Sequence, residues 1–443
     1  MQSTNSGLSK NQAMNRKLLG SILFLWFCGA IFADMPWQKQ LGTITRSPMI
    51  FIAPALFSIS LFLLPRPRFW NPQELKFFLY GIFTIFTSVI LLFFYYIYGG
   101  QPIYKGINLF NRMVFASCEN IVTFFAFFSL HRILRLLDRK TVLILMLILF
   151  LSLCIIAGIE NVDKDVFQVF HTNTSGALLS RVSLLSSEPS QAFPVFTVIF
   201  FLVIFLLGAE KISLIILLSS LYLIVALLID SKGGIPIVAL SLVAPLIPLF
   251  KRKRQTALSL LICIIPVMVI ISVHFYTKGS DELQTQIETY TSISTRLVGF
   301  CSSVFSLLTY PIGVGYGTNH VYYPPILLKS MEWIDNFINL PLNMDEVIFI
   351  ASTGDTLSAK AGIPSQVVYN GFLAVGFFYS IFRRAWKRIS VHYNVFQRFL
   401  GQALLIYVIL SILFVSEINT LYIYIIPLVI FELPHFGTEI ISC

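Results

Sequence analysis

Long apolar runs alternate with short polar connections along most of the chain. A helix needs roughly 20 mainly apolar residues to cross a bilayer, and on that measure the pattern predicts about twelve transmembrane helices. These segments lie at about 18–33, 47–64, 77–98, 107–130, 141–158, 191–208, 212–229, 234–250, 257–275, 362–382, 399–415 and 419–432. The pattern therefore predicts an all-α polytopic integral membrane protein, with a single membrane domain over residues 1–443.

One long stretch, residues 276–361, interrupts this pattern. It is rich in polar residues, glycine and proline, and it is too irregular to cross a bilayer as one helix. It separates the ninth predicted helix from the tenth and is the longest connection, while the loop at 159–191 is a shorter outer one. We therefore predict one large loop outside the membrane, and we look there first for function.

Basic residues cluster in the connections on one side of the predicted bundle. Only 12% of the residues are charged, against about 25% in soluble proteins, and the formal net charge is +10. A soluble domain with this charge would suggest nucleic acid, but Lys and Arg also keep the loops of membrane proteins in the cytoplasm. The basic clusters at 251–254 and 383–388 fit that role. The charge pattern thus predicts both termini in the cytoplasm, residues 276–361 outside, and no nucleic-acid partner.

The chain carries no pattern typical of a metal or nucleotide site. Its six cysteines are scattered without a CxxC pair, and neither an HExxH sequence nor a Walker A lysine motif occurs. We therefore predict no metal and no cofactor.

Glu188 stands at the start of the sixth predicted helix, at the outer rim of the membrane. The ordinary explanation is a helix start, with Ser187 as the N-cap and with Glu188 and Pro189 in the first turn. That explanation accounts for the proline but leaves open why a carboxylate lies at this rim. Both a structural and a functional role remain open for Glu188.

Two further polar features lie at or near the predicted outer side. Lys232 belongs to the glycine-containing connection 230–234, which suits a phosphate ligand or a simple turn with a snorkelling lysine. Arg112 and Glu119 share a face of the fourth predicted helix, where ionisable residues are costly. They form either an internal ion pair or, for Arg112, part of a ligand site.

The order of several short motifs resembles that of a known family. The motifs are Ser187-Glu188-Pro189-Ser190 at a helix start, Ser231-Lys232-Gly233-Gly234 at a hairpin, and Arg296 ahead of Pro311-Ile312-Gly313-Val314-Gly315-Tyr316-Gly317. A glycine-containing span, 362–382, follows the long outer stretch. Together these features resemble the sparse signature of the O-antigen polymerase and O-antigen ligase family, over a region from Ile159 to Phe382.

The resemblance implies an enzyme, a membrane glycosyltransferase of the bacterial inner membrane. Such enzymes use glycans linked to undecaprenyl pyrophosphate, without nucleotide sugars and without a metal. The polymerase branch transfers the growing chain onto the next lipid-linked repeat unit at the outer face of the membrane. The partners implied are the undecaprenyl-pyrophosphate-linked oligosaccharide, the lipid bilayer and a chain-length regulator.

The resemblance also assigns residues, and elementary chemistry agrees with it. Glu188 matches the family's acid, Lys232 and Arg296 match basic positions, and His320 matches only loosely the histidine of the ligase branch. A pyrophosphate leaving group needs cations, and the candidates are Arg296, Lys232, Arg181, Lys360 and Arg112. The acceptor hydroxyl needs a base, for which Glu188 is the first candidate and His320 the second. Candidates for stacking on sugar rings are Tyr316, Tyr322, Tyr323 and Trp333, although aromatic residues are also common at membrane interfaces.

Two other functions remain open. A flippase for lipid-linked oligosaccharides would also suit twelve helices, but it predicts inverted repeats and matching broken helices, which the sequence does not show. A ligase would transfer the glycan to a lipid A core instead of to another repeat unit.

Overall fold

The structure, a computed structural model, describes most of the chain, largely as helices. The described residues are 10–32, 47–62, 70–164, 166, 181–186, 188–209, 211–231, 233–247, 291–337, 342–354, 359, 361–416 and 422–436. The predicted helix at 257–275 and the candidate residues Lys232 and Lys360 lie outside these ranges.

The described residues form fifteen α-helices. They are α1 (Lys10–Ile31), α2 (Met49–Phe62), α3 (Pro72–Ile97), α4 (Leu109–Arg135), α5 (Arg139–Val162), α6 (Pro189–Leu207), α7 (Ile212–Ile229), α8 (Gly234–Val243), α9 (Thr291–Thr309), α10 (Asn319–Phe337), α11 (Asp345–Thr353), α12 (Gly362–Asn370), α13 (Phe372–His392), α14 (Val395–Phe414) and α15 (Ile425–Glu432). Two strands, β1 (Ile103–Tyr104) and β2 (Ile107–Asn108), form an antiparallel hairpin between α3 and α4.

The prediction of a helical membrane protein is confirmed at the coarser level. Among the described residues, six helices are long and apolar enough to cross a membrane, namely α3, α4, α5, α6, α7 and α14. The segments α2, α8 and Tyr422–Glu432 are apolar but shorter. The count of about twelve crossings and the side on which each connection lies stay predictions.

The start of α6 differs from the prediction. The helix begins at Pro189, and its N-cap position is held by Glu188 in an extended conformation, not by Ser187. Proline suits the first helical position because its missing N–H would have no helical partner there. The Glu188 side chain makes no capping hydrogen bond to the helix backbone, so its carboxylate is oriented by other contacts.

The stretch predicted as a large loop contains three helices. Helices α9, α10 and α11 pack on one another and form what we call the cap layer. A second hydrophobic core, separate from the main one, joins this layer to the bundle where α3 ends and α4 begins, and it contains Leu92, Leu109, Val298, Val347 and Ile350. The cap layer is thus part of the folded protein at one end of the bundle.

The glycine-rich turn between α9 and α10 explains why the predicted span 362–382 is broken. Backbone hydrogen bonds of 2.9 Å run from Val314 N to the Val368 oxygen and from Phe372 N to the Pro311 oxygen. Gly371, which separates α12 from α13, has φ 54°, and a Cβ atom there would overlap the Pro311 oxygen. Only glycine allows this close approach, so α12 ends at Asn370 and α13 starts in a new direction.

The opposite end of the bundle carries its own buried charges. The Glu74 carboxylate is 2.9 Å from His131 Nδ1, and Arg384 Nε donates to both carboxylate oxygens of Glu432 at 2.9 Å. Asn71 and Glu74 form a capping box at the start of α3. These contacts tie together helices that are distant in sequence, so Arg384 has a structural role besides its predicted role in topology.

Candidate functional site

Arg296 and Glu188 come together although they lie on different elements. Arg296 is in the first turns of α9, and Glu188 is the N-cap residue of α6. The negative charge of Glu188 opposes the lowering of the Arg296 pKa by burial, which places the two side chains near each other, and Ser190 Oγ donates a hydrogen bond of 3.2 Å to Glu188. Both side chains are partly exposed. Two residues singled out from the sequence therefore belong to one cluster.

The glycine hairpin at 230–234 reaches the same cluster. A Cβ atom added to Gly233 would lie 3.4 Å from Arg296 Nη1, and one added to Gly234 would overlap the Phe193 ring on the first turns of α6. The hairpin therefore fits between α6 and α9. This contact gives a geometric basis, independent of electrostatics, for placing the starts of these two helices side by side.

Arg181 joins the cluster through the hairpin. Its Nε atom is 3.6 Å from the Asp230 carboxylate, and Asp230 adopts a left-handed conformation with φ 47° at the end of α7. The segment that follows Arg181 is fixed by the buried Glu160 carboxylate, which accepts hydrogen bonds from Ser183 N at 2.7 Å and Leu184 N at 2.8 Å. These contacts fix the path of the backbone after the Arg181–Asp230 pair, toward the start of α6.

Glu346 is a member of the cluster that the sequence analysis missed. It lies in the first turn of α11, its charge acts on Arg296, and its carboxylate accepts a hydrogen bond of 2.9 Å from Thr295 Oγ1. The neighbouring Ser294 hydroxyl bonds to the Asn343 carbonyl. The first turns of α9 are therefore attached to the start of α11 at two successive residues.

Partial burial leaves Arg296 poorly hydrated. Desolvation lowers its pKa, while the negative charges of Glu188 and Glu346 oppose that shift. An arginine remains charged in proteins under these conditions. The cluster therefore holds a cation in a water-poor place, where electrostatic interactions are stronger than in bulk water.

His320 lies at the other end of α11. A Cβ atom added to Gly354, the C-cap residue of α11, would be 3.8 Å from His320 Nδ1, whereas Glu346 and Arg296 meet at the start of that helix. The nine residues of α11 correspond to about 12 Å of helix. The two candidate bases, Glu188 and His320, are thus at different places.

Arg112 and the aromatic candidates occupy several environments. Arg112 lies in the first turn of α4, a helix whose residues Leu109 and Met113 border Gly317. Tyr316 is buried, and its hydroxyl donates to Gln366 at 3.1 Å, while Tyr323 is fully buried and bonded to Ser302 at 2.6 Å. These two rings therefore belong to the packed interior.

Tyr322 and Trp333 are the members of the aromatic set that reach the surface. They are 37% and 41% exposed, so their rings are accessible to a ligand or to lipid. Trp333 also stacks on Phe337, with ring centroids 4.8 Å apart. A role in sugar stacking stays a prediction for these two residues.

A buried polar network lies beside the Tyr316 hydroxyl. The Gln366 carbonyl oxygen also accepts from Tyr80 at 2.7 Å and from Asn370 Nδ2 at 3.1 Å, and Asn120 Nδ2 donates to Tyr316 at 2.8 Å. The sequence analysis did not identify Gln366 or Asn370. Their hydrogen bonds join α3, α4 and α12 through uncharged groups, so this network holds the bundle under the glycine-rich turn.

No protein-family model matches this chain, and no curated protein matches it either. A hypothesis about the function of this protein therefore depends on the geometry of the cluster formed by Arg181, Glu188, Asp230, Gly233, Arg296 and Glu346. We call this set the Arg296 cluster.

The Arg296 cluster combines the groups that transfer of a phosphate-linked substituent requires. Its arginines suit phosphate oxygens, since a guanidinium presents two parallel donors. Its carboxylates suit proton acceptance from a hydroxyl group. The glycine backbone at Gly233 allows a ligand to approach closely beside Arg296.

Proposed function

We propose that this protein is a membrane glycosyltransferase that polymerises polysaccharide repeat units. It transfers a growing glycan from undecaprenyl pyrophosphate onto the next lipid-linked repeat unit, at the outer face of the bacterial inner membrane. The observation that carries this proposal is the convergence of Glu188, Arg296 and the Gly233 hairpin, which supplies an acid and a cation beside an accessible backbone. The order of the motifs that hold these residues, which resembles the O-antigen polymerase and ligase family, supports it further.

The proposed reaction exchanges a glycosyl-phosphate bond for a glycosidic bond. The hydroxyl oxygen of the acceptor sugar bonds to the anomeric carbon of the donor, and the bond from that carbon to the pyrophosphate oxygen breaks. The pyrophosphate leaves on its lipid with the bonding electron pair, and Glu188 accepts the hydroxyl proton. Because the donor already carries its leaving group, the reaction needs no nucleotide.

Arg296 stabilises the charge that develops on the pyrophosphate. In a water-poor site, loss of one such contact costs about 2.7 to 4 kcal/mol of transition-state stabilisation. Arg181 assists from the hairpin side, where Asp230 orients it. The roles of Lys232, Lys360 and Arg112 at the pyrophosphate stay predictions, as does that of His320 as an alternative base.

A flippase for the same lipid-linked oligosaccharides is the second candidate. The observation that favours it is the helix break at Gly371, because transporters often form their sites at interrupted helices. Transporter repeats place matching breaks in both halves, whereas α3, α4 and α5 in the first half run without interruption through the described residues. This difference between the halves argues against a transporter, and the charges of the Arg296 cluster favour the enzyme.

Reconstitution distinguishes the two candidates. The purified full-length protein is placed in vesicles that contain lipid-linked repeat units, with no nucleotide and no ion gradient, and the glycans are separated by size. A ladder of products longer than one repeat unit supports the polymerase. Movement of the lipid across the bilayer without elongation contradicts it, and transfer only to added lipid A core identifies a ligase.

A further inference from the structure

One side of α9 is apolar and open to its surroundings. Leu297, Cys301, Val304 and Leu308 recur every three or four residues, which places them on one side of the helix. Leu308 is 73% exposed, Val304 is exposed, and the other two are partly exposed. We call these four residues the α9 face. It extends for about 16 Å along the helix axis, and none of its members carries a charge.

The buried side of the same helix is largely polar. Its hydroxyl residues Ser294, Thr295, Ser302, Ser303 and Ser306 are buried in the protein. Ser302 Oγ, for example, is hydrogen-bonded to the Tyr323 hydroxyl at 2.6 Å. A helix on the surface of a soluble protein usually turns its apolar residues toward the core and its polar residues toward water. The arrangement in α9 therefore suits surroundings that are less polar than water.

The first half of α9 adjoins a helix that is apolar enough to cross a membrane. The ring of Phe300, one turn after Arg296, has its centroid 5.9 Å from that of Phe414, the last residue of α14. Phe414 is itself partly open to the surroundings of the protein, since it is 38% exposed. The α9 face thus begins where an apolar span ends.

The other end of α9 adjoins a second apolar span. Tyr310, just after the helix, contacts Tyr322 at 5.8 Å between ring centroids, and Tyr322 contacts Tyr95 near the end of α3 at 6.3 Å. The neighbours of Tyr95 on α3 include the exposed apolar residues Phe94 and Ile97. The α9 face therefore lies between the ends of two membrane-length helices, both of which expose apolar side chains.

The border of the α9 face has the composition of a membrane interface. Trp333 on α10 packs edge-on against Phe305 of α9, with ring centroids 5.9 Å apart, and it is followed around α10 by the exposed charged residues Lys329, Glu332 and Asp335. Trp and Tyr are enriched at the boundary between hydrocarbon and water, because one end of each ring is apolar and the other polar. The change from apolar to charged surface therefore occurs across α10.

We propose that the α9 face lies in the hydrocarbon of the adjacent membrane leaflet, in contact with lipid acyl chains. An exposed apolar surface of this size needs an apolar cover, and the neighbouring spans α3 and α14 already need the same cover. Hydrocarbon also requires that polar groups be satisfied within the protein. The Thr309 hydroxyl at the end of the face meets this requirement, because it donates to the Phe305 carbonyl at 2.9 Å.

This contact changes the position assigned to the cap layer. The sequence predicts the whole stretch 276–361 outside the membrane, whereas the α9 face places one side of α9 inside it. Arg296 belongs to the turn at which the face begins. A lipid-linked diphosphate then meets Arg296 at the border of the hydrocarbon, while its lipid chain stays in the bilayer. This consequence rests on the proposed function, but the lipid contact does not.

Spin labelling tests the contact in the full-length protein. In a background with all six native cysteines replaced by alanine, single cysteines replace Leu308 and, as the matched control, the exposed Asp335. Each labelled protein is placed in vesicles of phosphatidylethanolamine and phosphatidylglycerol, which contain no isoprenoid lipid. Collisions of the label are measured with oxygen, which concentrates in hydrocarbon, and with a nickel chelate, which stays in water. We expect the ratio of oxygen to nickel collisions to be several times higher for Leu308→Cys than for Asp335→Cys.

Two outcomes overturn the inference. Nickel collisions as frequent at Leu308→Cys as at Asp335→Cys show that the α9 face lies in water. A Leu308→Cys label that neither reagent reaches shows that protein covers the face, and broadening of its spectrum by a second label identifies a second copy as the cover. Neither measurement uses a glycan donor, so the lipid contact and the proposed glycan transfer can fail independently.

Discussion

The backbone of Gly233 lies against the guanidinium of Arg296, with 3.4 Å between Nη1 and the position that a Cβ atom on Gly233 would take. This relationship joins the tight hairpin between α7 and α8 to the start of a cap-layer helix far along the chain. The hairpin glycine was expected to allow close approach of a ligand. In the structure it also borders the cation that we assign to that ligand.

The first prediction concerns Gly233→Ala. The residue has φ −83°, which alanine adopts readily, so we expect the melting temperature to stay within about 2 °C of wild type. The added methyl group narrows the approach to Arg296, and small misplacements of this kind lower turnover about tenfold or more. Gly234→Ala is the comparison, because its Cβ would overlap Phe193 and the loss there is one of stability. If Gly233→Ala retained wild-type turnover, the hairpin would not be part of the site.

The second prediction concerns the helix break. Gly371→Ala combines a left-handed conformation with overlap on the Pro311 carbonyl, so we expect a loss of about 2 kcal/mol or more in the free energy of unfolding. Gly376→Ala on α13 is the matched control, since nothing lies within 4 Å of its added Cβ. Thermal unfolding of the two variants in detergent measures the difference. Equal stability would show that the glycine-rich turn does not depend on the break.

The third prediction concerns the β-hairpin and α11. Lys105, at the hairpin turn, donates from Nζ to the Ser352 oxygen at 2.7 Å and to the Ala351 oxygen at 3.2 Å, near the end of α11. A lysine at a helix C-terminus stabilises it by about 0.3 to 1 kcal/mol. We therefore expect faster amide hydrogen exchange in α11 for Lys105→Met, whereas Lys329→Met, an exposed residue on α10, leaves it unchanged. If amide hydrogen exchange in α11 were unchanged in both variants, the result would contradict the contact between Lys105 and the end of α11.

Much of the helical pattern was predictable because apolar runs long enough to cross a membrane are typical of transmembrane helices. The six long apolar helices fall in predicted segments. Gly371 was inside an apolar run, and the hydrogen bonds that break the helix there come from Pro311 and Val314 in another part of the chain. A local pattern does not contain that information.

The Arg296 cluster was predictable in part. Glu188, Arg296, Arg181 and the 230–234 connection were found because a charge or a glycine stood out against an apolar background. Glu346 did not stand out, since an acid in the first turn of a helix is the ordinary choice for the helix dipole. Only the fold brings its carboxylate to Thr295 and Arg296.

The β-hairpin was also missed, although a signal was present. Lys105-Gly106 stands between two short apolar pairs, and both residues have positive φ, 48° and 78°. A residue followed by glycine at this point is typical of a two-residue hairpin turn. The neighbouring apolar residues favoured an earlier start of the helix, which in fact begins at Leu109.

The fourth prediction concerns orientation, which the charge pattern assigns. In a cysteine-free background, single cysteines replace Asp345, exposed beside Glu346, and Lys387, exposed on α13. We expect an impermeant maleimide to label Asp345→Cys in intact cells and Lys387→Cys only after permeabilisation. The reverse pattern would place the Arg296 cluster in the cytoplasm, where the proposed reaction has no lipid-linked donor.

The most direct test of the account is glycan elongation by the Glu188→Gln variant in vesicles with lipid-linked repeat units. We predict that products longer than one repeat unit fall at least about a hundredfold, as for loss of a general base. Asp335→Asn, assayed in parallel, retains the full ladder. A ladder of wild-type length and amount from Glu188→Gln would contradict the claim that the Arg296 cluster carries out the transfer.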